Sequence, residues 1–480
     1  MTIASDFKLL DKASLNRIHE ATMDVLANTG IVFRGAEALE HFRHHNVRVD
    51  GQTVFINQEI LDRALASVPD AFHWAARNPE RSILVGQGQE GVHISMNNGP
   101  IHVQDLEGGR RAGTLEDLVN FYKLGQRLRT CGIVGQIPVD PSDLKGKQRH
   151  LEIFYHLLRH TDKPLCGYVG TQAEIGQMFD MLAIAYGGED PFKERHLIAV
   201  SLNPLSPLKY DEIPCETLLA YAKRRQPVMV LTCAMSGVTA PIQPLGTVVL
   251  QNAEILAGLV LSQLVNPGTP FVYSPASAVP NMRTAGYVTG MPVSTMINMA
   301  GIQLAKELYH LPTRCMAGLT DSKTVDCQAG YETMQNFLML AMAGVNMVNE
   351  CYGLLDAIMT VSYEKFIIDD ELLDRVACLL KGFEVSDEAL SLDVIKSVAH
   401  DGAYLTHLST MQECRKIWAP TVSDMDTYAA WEKAGCPDIV ARAGQQVKTT
   451  LAQCPESMLD DDTERALQAY LEKNQGNYSA

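Results

Sequence analysis

The segment Pro312–Asp374 reads PTRCMAGLTDSKTVDCQAGYETMQNFLMLAMAGVNMVNECYGLLDAIMTVSYEKFIIDDELLD. It contains two apolar, strand-like runs, Thr313–Ala317 and Val345–Asn349, and each run leads into a polar turn that is punctuated by glycine. A long apolar helix pattern separates the two runs. Apolar strands that alternate with helices predict a parallel sheet covered on both faces, so this segment indicates an α/β fold.

The same alternation extends toward the N-terminus. Earlier apolar, β-branched runs lie at Val92–Met96 or Ile101–Val103, Ile133–Ile137, Leu165–Val169, Leu197–Leu202, Val228–Thr232 and Phe271–Ser274. Helical patterns fill the intervals, for example Thr114–Arg129, which Thr114 and Asp117 are spaced to cap. About eight strands in this order favour a closed (β/α)8 TIM barrel over an open doubly wound sheet. No GxGxxG or GxxxxGKS/T motif follows any of these predicted barrel strands, which weakens the dinucleotide-binding and P-loop alternatives.

Three zones divide the chain. Residues 1–90 predict an N-terminal α+β cap, with helix patterns at Ser14–Asn28, Ala36–His45 and Gln58–Ala66. Residues 91–375 form the predicted barrel and catalytic domain. Residues 376–480 are mostly polar and helical in pattern, and they predict a C-terminal helical extension.

Composition excludes some classes of partner. The chain has 480 residues and a formal net charge of −16, which argues against nucleic acid because a binder needs a basic face. We find no uninterrupted apolar run of the roughly 20 residues that span a bilayer and no secretion signal at the N-terminus, so no membrane association is expected. The eleven cysteines are scattered without a CxxC pair, as in a reduced, cytoplasmic protein.

Candidate functional residues follow the predicted strands, because the active site of a barrel is built from the loops at the carboxyl ends of its strands. These positions are rich in amides, aromatic rings and carboxylates and poor in histidine. This composition suits the binding of a polar or cationic ligand better than proton transfer. The candidates are Tyr168, Asn203, Tyr273, Asp321, Asn349, Glu350 and Tyr352, together with Arg314, which lies early in the run Thr313–Ala317.

Structural alternatives stand beside these functional interpretations. Asn203 precedes a proline and fits a turn, and Asp321 fits the cap of a helix that begins near Thr324. The two tyrosines at 168 and 273 fit a packed core. Arg314 either points into the barrel and binds a carboxylate or belongs to a structural ion pair. Glu350 is harder to explain structurally, since a carboxylate that closes an apolar run is costly unless it is used or paired.

A metal site is not predicted. His156 and His160 have the i, i+4 spacing of a metal pair, but no third ligand lies near them in the sequence, and a solvated helix face is the favoured interpretation.

Five motifs carry a resemblance to a known family. They are LANTGIVF (26–33), EGGRRAGTLEDL (107–118), VLQNAEILAG (249–258), AGLTDSKTVDCQAGYE (317–332) and GLLDAIMTVSYEKFIIDDELL (353–373). Together they resemble the trimethylamine methyltransferase superfamily, above all its members that lack pyrrolysine and demethylate quaternary amines. The resemblance covers the chain from about residue 10 to about residue 410.

The resemblance implies a (β/α)8 barrel that moves a methyl group from an amine to the Co(I) of a separate corrinoid protein. Founding members carry pyrrolysine and use tertiary amines, whereas this chain contains only the twenty common residues. Members without pyrrolysine use quaternary amines such as glycine betaine, carnitine, proline betaine and γ-butyrobetaine. The corrinoid cofactor, cobalamin, would arrive on the partner, with none tightly bound to this chain.

The chemistry of a quaternary ammonium needs no acid, because loss of a methyl group releases a neutral amine. The enzyme then has to position the substrate and exclude water. We expect the catalytic carboxylates Glu350 and Asp321, with tyrosines 168, 273 and 352 around the cationic head. Arg314, Asn203 and Asn349 suit a carboxylate tail. These roles follow from residue type and position, and no family motif supplies them.

Glycine betaine is the first expectation for the substrate, and the other betaines are its alternatives. Two further classes stay open: a metal-assisted barrel lyase or hydrolase that uses Asp321, Glu350 and His400, and a betaine-binding protein without activity. The bottom of the barrel should be closed by packed side chains, so substrate and corrinoid protein should enter at the top. A symmetric homo-oligomer is expected, as for many barrels.

Overall fold

The computed structural model describes residues 7–135, 137–146, 148–400 and 402–475. Its N-terminal part mixes short helices and strands, and it confirms the three helices predicted there. The helices are α1 (Lys12–Asp24), α2 (Ala36–His44) and α3 (Gln58–Ser67), and the strands are β1 (Ile31–Phe33), β2 (Arg48–Asp50), β3 (Thr53–Phe55), β4 (Ala71–Trp74) and β5 (Ile83–Gly86).

Local sequence explains the bounds of two of these helices. Asp11 caps α1 by accepting from the backbone N–H of Ser14, and Asn57 caps α3 by accepting from the backbone N–H of Ile60. A π-helical turn (Val25–Thr29) continues α1 to Gly30. Gly30 has a φ of 75°, which glycine adopts without strain, and a Cβ there would lie 2.8 Å from a backbone oxygen.

The middle part alternates strands and helices. Its strands are β6 (His93–Ser95), β7 (His102–Asp105), β8 (Gly109–Ala112), β9 (Cys131–Ile133), β10 (Leu165–Cys166), β11 (Ile198–Leu202), β12 (Lys209–Tyr210), β13 (Val228–Thr232), β14 (Phe271–Pro275), β15 (Arg314–Met316), β16 (Met347–Asn349), β17 (Leu354–Leu355) and β18 (Thr360–Ser362). Its helices are α4 (Leu115–Arg127), α5 (Arg149–His160), α6 (Gln172–Tyr186), α7 (Pro191–Glu194), α8 (Glu212–Lys223), α9 (Pro244–Val265), α10 (Pro292–Leu304), α11 (Cys327–Met342) and α12 (Tyr363–Lys381). The predicted capping box of Thr114 and Asp117 is present at the start of α4.

Parallel pairing connects eight of these strands in chain order. The order is β6, β9, β10, β11, β13, β14, β15 and β16, and β16 pairs with β6 again. Two of the joins are single bridges, Val134 to Leu165 and Tyr273 to Thr313. The fold is therefore α/β and resembles a TIM barrel, as the alternation of strands and helices predicts.

Two of the predicted runs differ in detail from the observed strands. Of the two alternatives for the first strand, the run at Val92–Met96 supplies β6, while Ile101–Val103 falls in a separate sheet that contains β7, β8, β17 and β18. The run at Ile133–Ile137 begins as a strand at Cys131 and leaves it after Ile133. Both shifts are of the size expected where apolar loops flank short strands.

A hairpin from the N-terminal part closes the amino ends of the barrel strands. Strands β4 and β5 pair antiparallel, and Phe72, Trp74 and Val85 pack against side chains near the starts of the barrel strands. These side chains are Ile133, Ala199, Met229, Val272 and Met347. The result is an apolar floor beneath the interior of the barrel.

Helix α9 is apolar enough, and with 22 residues long enough, to cross a membrane by length and composition alone. Its apolar window is 78% buried inside the protein, and it carries the buried polar side chains Gln251, Asn252 and Glu254. Asn252 donates to Thr22 of α1 and to the hydroxyl of Tyr309. These contacts are those of a core helix packed against its own chain.

The C-terminal part is helical. Its helices are α13 (Asp387–Leu390), α14 (Leu392–Val398), α15 (Leu408–Glu413), α16 (Tyr428–Lys433), α17 (Ile439–Ala452) and α18 (Asp461–Gln475). Helix α17 packs against α12 and α4, and α18 packs against α5 and α6. These long helices therefore lie on the outer helices of the barrel.

Candidate active site

Strand register decides which side chains face the interior of the barrel. Residues paired across neighbouring parallel strands face the same side of a sheet, and side chains alternate along each strand. Met229 and Met347 belong to the apolar floor inside the barrel. Ser201 pairs with Met229, and Arg314 pairs with Met347, so both point inward. Asn349, two residues after Met347, points inward as well.

Glu350 follows the last barrel strand and is buried, with 4% of its surface exposed. Its Oε2 accepts from the backbone N–H of Asn98 at 2.9 Å, and its Oε1 accepts from Asn349 Nδ2 at 2.9 Å. Burial raises the pKa of Glu350 to about 7, although these hydrogen bonds and the charge of Arg314 favour the carboxylate. The carboxyl group can therefore change its charge near neutral pH.

The backbone at Glu350 is held in an unusual conformation. Its φ is 54°, in the left-handed region that side chains rarely adopt. The N–H of Gly318 donates to the carbonyl oxygen of Glu350 at 2.8 Å. A Cβ at Gly318 would lie 2.5 Å from that oxygen, so only glycine fits there without a shift of the backbone. Such strain is typical of functional sites, where surrounding contacts fix it.

Arg314 is the positive counterpart of Glu350. Its side chain is buried at 4% exposure, and burial lowers the pKa of the guanidinium, while the nearby Glu350 charge opposes that change. Two thiols, Cys166 and Cys233, also lie near this pair of charges. Burial raises the pKa of Cys166 to about 11 and that of Cys233 to about 12, so both stay protonated and line the interior as neutral groups.

Three inward-facing groups retain unused hydrogen-bonding capacity. Among the residues that the structure describes, Arg314 Nη1, Ser201 Oγ and Asn349 Oδ1 are buried and have no hydrogen-bond partner. Buried polar atoms are nearly always paired, so a cluster without partners calls for an explanation. Here they offer a bound molecule a charged donor, a hydroxyl and an amide oxygen.

Two predicted candidates lie at the rim. Tyr168 follows β10, is half-buried, and stacks on His150 with ring centroids 5.3 Å apart. Asn203 follows β11, is exposed, and has its Nδ2 3.7 Å from Cys233 Sγ. Both are therefore placed above the interior that Arg314 and Glu350 line.

Two other candidates, Tyr273 and Tyr352, do not line this interior. Tyr273 pairs with Val230, between inward-facing residues, so it points outward, and its hydroxyl donates to Asn252 of α9 at 2.9 Å. Tyr352 is fully buried against Phe366 of α12, with its hydroxyl 2.8 Å from Thr130 Oγ1. Strand alternation and core packing explain both placements.

Asp321 has a different contact from the predicted helix cap. Helix α11 begins at Cys327 with Asp326 as its cap, so the predicted capping role for Asp321 is wrong. The carboxylate of Asp321 accepts instead from the backbone N–H groups of Thr289 and Gly290, at 2.9 and 2.8 Å. These hydrogen bonds hold the loop that follows β14 in place.

That loop brings an aromatic residue that the strand pattern missed. Tyr287 is half-buried, and the charges of Asp321 and Glu350 both raise the pKa of its phenol, after the larger effect of burial. Its hydroxyl donates to the carbonyl of Ala276 at 2.9 Å. No periodic pattern marks a residue in the middle of a long loop.

Ser201 was missed for another reason. It is one polar residue inside the apolar run IAVSL, and only the register of its strand reveals the direction of its side chain.

The metal-ligand alternative gains no support from the geometry. Across residues 7–135, 137–146, 148–400 and 402–475, no group of three or more His, Cys, Asp and Glu side chains is placed to hold a metal ion. His400 is exposed in the C-terminal part and does not form such a group with Asp321 and Glu350. His156 and His160 stack on each other on α5, with centroids 5.9 Å apart.

The fold is α/β, and buried charged and polar side chains lie among its parallel strands. The family model for trimethylamine methyltransferase (MTTB) matches residues 2–478. The chain therefore belongs to this family, as the motifs imply, and it is a methyltransferase.

Individual relatives support the same assignment. The chain is 36% identical over 466 residues to the glycine betaine methyltransferase of Desulfitobacterium hafniense (strain Y51), covering 97% of this chain and 96% of that one. It is 30% identical to the L-carnitine:corrinoid methyltransferase of Eubacterium limosum over 78% of each chain. The crystal structure of the monomethylamine methyltransferase MtmB of Methanosarcina barkeri matches with a TM-score of 0.56 at 12% identity, covering 96% of this chain and 90% of that one, which shows a shared fold.

Proposed function

We propose that this enzyme transfers a methyl group from a quaternary amine, glycine betaine first among them, to the Co(I) of a separate corrinoid protein. Support comes from the 36% identity to a glycine betaine methyltransferase and from relatives that act on carnitine and proline betaine. The observation that carries the proposal is the buried carboxylate of Glu350 near the buried guanidinium of Arg314, whose Nη1 has no hydrogen-bond partner in the described part of the chain. A betaine carries one charge of each sign, and this interior offers the opposite of each.

The cationic head would lie beside Glu350. The trimethylammonium group cannot donate a hydrogen bond, so it is attracted by charge and by aromatic faces. Tyr287 and Tyr168 supply rings on the side of the site where the loops lie. A bound cation would favour ionised Glu350 and draw its pKa below the value of about 7 in the free enzyme.

The carboxylate tail would lie against Arg314. Arg314 Nη1 and the hydroxyl of Ser201 are buried, face inward and have no partner among the described residues, so each can donate to a carboxylate. Asn349 has its Nδ2 committed to Glu350, and its position links the two ends of the proposed site. Asn203, at the rim, would contact substrates with longer tails.

The proposed reaction is a single displacement. The cobalt of the partner corrinoid attacks the methyl carbon, the carbon–nitrogen bond breaks, and its electron pair stays on nitrogen to give a neutral tertiary amine. No proton has to move, so this chain contributes by orienting the substrate, stabilising the cation with Glu350 and excluding water. Asp321 contributes indirectly, because it positions the loop that carries Tyr287.

The remaining features of the enzyme are proposed with the same function. We propose that the eight paired strands form a closed (β/α)8 barrel, with a cap at residues 1–90 and a helical extension at residues 376–480. The enzyme would be cytoplasmic and would hold no cobalamin of its own, since the corrinoid belongs to the partner.

A methylation assay tests the function. Reduced corrinoid protein is followed by absorbance as Co(I) becomes methyl-Co(III), with glycine betaine, carnitine, proline betaine, γ-butyrobetaine and trimethylamine as donors. We expect turnover with glycine betaine and none with trimethylamine. Betaine binding by calorimetry without any methylation would overturn catalysis and leave a binding protein, and turnover with trimethylamine alone would overturn the proposed substrate class.

A further inference from the structure

The segment 383–417, here called the C-terminal arm, leaves the end of α12 and returns to the side of the same helix. Just beyond it, the backbone N–H groups of Thr421 and Val422 donate to the carboxylate of Glu371, at 2.7 and 2.6 Å. The guanidinium of Arg375 lies 4.6 Å from the ring centroid of Trp418. Both ends of the arm are thus fixed to α12, while the residues between them project from it.

The arm carries many large apolar side chains but has no core of its own. None of its described residues is buried, and α13, α14 and α15 bury nothing. Ten of its described residues are large, apolar and exposed. Phe383 is 94% exposed, and the next most exposed are Val385, Leu405, Ile417, Met411 and Leu408.

Such an arm is unfavourable in water on its own. Its helices have 4, 7 and 6 residues, fewer than the ~12–15 that an isolated helix needs for even marginal stability. Its ten exposed apolar side chains amount to on the order of 1,000 Å², since an aromatic side chain buries about 150 to 250 Å² and an aliphatic one less. A standard interface buries about 800 Å² on each partner, so the arm has the area of a stable contact.

The arm begins at the end of the barrel opposite to Glu350. Ala377 and Leu380 of α12 line a cleft of about 1190 Å³ together with Val92, Pro312 and Asn346. The last three residues precede barrel strands, so the cleft lies at the amino ends of the strands. Phe337 of α11 adds an apolar wall to this cleft, which is large enough for several side chains of an arm.

We propose that the C-terminal arm is the contact between two copies of this chain, each arm packing against the other copy at this amino-end cleft. Exposed apolar area of this size is stabilised when another surface covers it, and interfaces between identical subunits are more apolar than transient ones. A two-fold axis would cover both arms at once, because each copy supplies one arm and one cleft. The choice of a second copy over the corrinoid protein rests on the proposed function, in which that protein needs the opposite face and leaves after each transfer.

Molar mass measured by light scattering on the full chain tests the proposal without any substrate. We expect the wild type to be at least dimeric at micromolar concentration and the variant F383S/L405S/L408S to be monomeric. Ala377→Arg, which places a charge in the cleft from an exposed position, should also halve the mass. The matched control I213S/Y331S changes exposed apolar residues outside the arm and should keep the wild-type mass.

A monomeric wild type, or an arm variant that stays associated while its circular dichroism is native, would overturn the proposal. Hydrogen exchange of the wild type is an independent test, because it does not depend on whether a variant folds. Arm amides should be protected when the protein is concentrated and should lose protection on dilution. Protection that appears only when corrinoid protein is added would overturn the second copy as the occupant, whereas a failed methylation assay would count against the proposed function without changing the measured mass.

Discussion

The backbone N–H of Asn98 donates to Glu350 Oε2 at 2.9 Å, and this bond joins the loop after the first barrel strand to the residue that follows the last one. The carboxylate therefore sits where the ring of strands closes, and its position depends on both ends of the barrel sequence. Asn349 holds its other oxygen at 2.9 Å.

Glu350→Gln keeps the shape of the side chain and an oxygen for Asn98 but removes the negative charge. We expect kcat/KM for methyl transfer from glycine betaine to fall at least about tenfold, which corresponds to roughly 1.4 kcal/mol of lost stabilisation of the cation. Glu189→Gln, at an exposed site, is the control and should keep wild-type kinetics. Unchanged kinetics in the Glu350 variant would remove this carboxylate from the site.

The affinity for glycine betaine should depend on pH through Glu350. The pKa of this group is raised to about 7, so its ionised fraction increases about tenfold between about pH 6 and about pH 8. Calorimetry should show affinity rising with pH over that range. The rise should vanish in Glu350→Gln and persist in Glu254→Gln, a control needed because burial also raises the pKa of Glu254 to about 7.

The effect of pH on stability has the opposite sign from its effect on the affinity for glycine betaine. Because the folded protein binds the proton of Glu350 more tightly than the unfolded chain does, the contribution of this group to stability is full below about pH 4.5 and is lost as pH rises through about 7. The free energy of unfolding of Glu350→Gln, measured in denaturant, should therefore decline less over that range than that of the wild type. An equal decline in both proteins would contradict the shifted pKa.

Ser201→Ala tests the tail end of the proposed site. Loss of one hydrogen bond to a carboxylate should raise KM for glycine betaine at least roughly tenfold, which corresponds to about 1.5 kcal/mol. The binding of tetramethylammonium, which has no carboxylate, should not change. Ser274→Ala is the matched control, because Ser274 pairs with the inward-facing Leu231 but its hydroxyl is already bonded to the carbonyl of Val272.

Tyr287→Leu tests the aromatic face. We expect it to weaken glycine betaine binding roughly threefold to thirtyfold, in line with ~1–2 kcal/mol for a desolvated cation–π contact, while Tyr287→Phe keeps most of the affinity. Tyr273→Phe should instead lower the free energy of unfolding by about 1 kcal/mol through the lost bond to Asn252, with kinetics unchanged. Equal kinetics for Tyr287→Leu and the wild type would rule out this ring as a ligand.

Gly318→Ala tests the strained backbone. A new Cβ would lie 2.5 Å from the carbonyl oxygen of Glu350, so the variant should lose activity and melt at a lower temperature. Gly330→Ala is the control within α11, where a Cβ meets nothing within 4 Å, and it should be neutral or stabilise by up to about 1 kcal/mol. A Gly318 variant with wild-type activity would show that the conformation of Glu350 is dispensable.

Periodicity predicted the elements better than it predicted the directions of side chains. The runs at Leu197–Leu202 and Val228–Thr232 are strands almost to the residue, because strands buried on both faces read as continuous apolar runs. The same continuity hides which face is the interior. Tyr273 and Ser201 both lie on such strands, and only pairing with Val230 and Met229 reveals that the tyrosine points out and the serine points in.

Two charged residues of the candidate site stand out in the sequence for a physical reason, and both are buried in the structure. Glu350 and Arg314 interrupt apolar runs, and a buried charge is costly enough to stand out in a sequence. The hydrogen bonds of Asp321 could not be predicted from the sequence, because its partners Thr289 and Gly290 lie in a loop about thirty residues away in the chain. Tyr287 belongs to the same loop and lacked a signal for the same reason.

The apolar floor made by Phe72, Trp74 and Val85 has a kinetic consequence for the proposed reaction. With the amino end filled, betaine and cobalt would share the carboxyl end as their route to the interior. The betaine would then have to enter before the corrinoid protein covers that route, and the demethylated amine would leave after it departs. Turnover would follow a compulsory order, with the small substrate first on and its product last off.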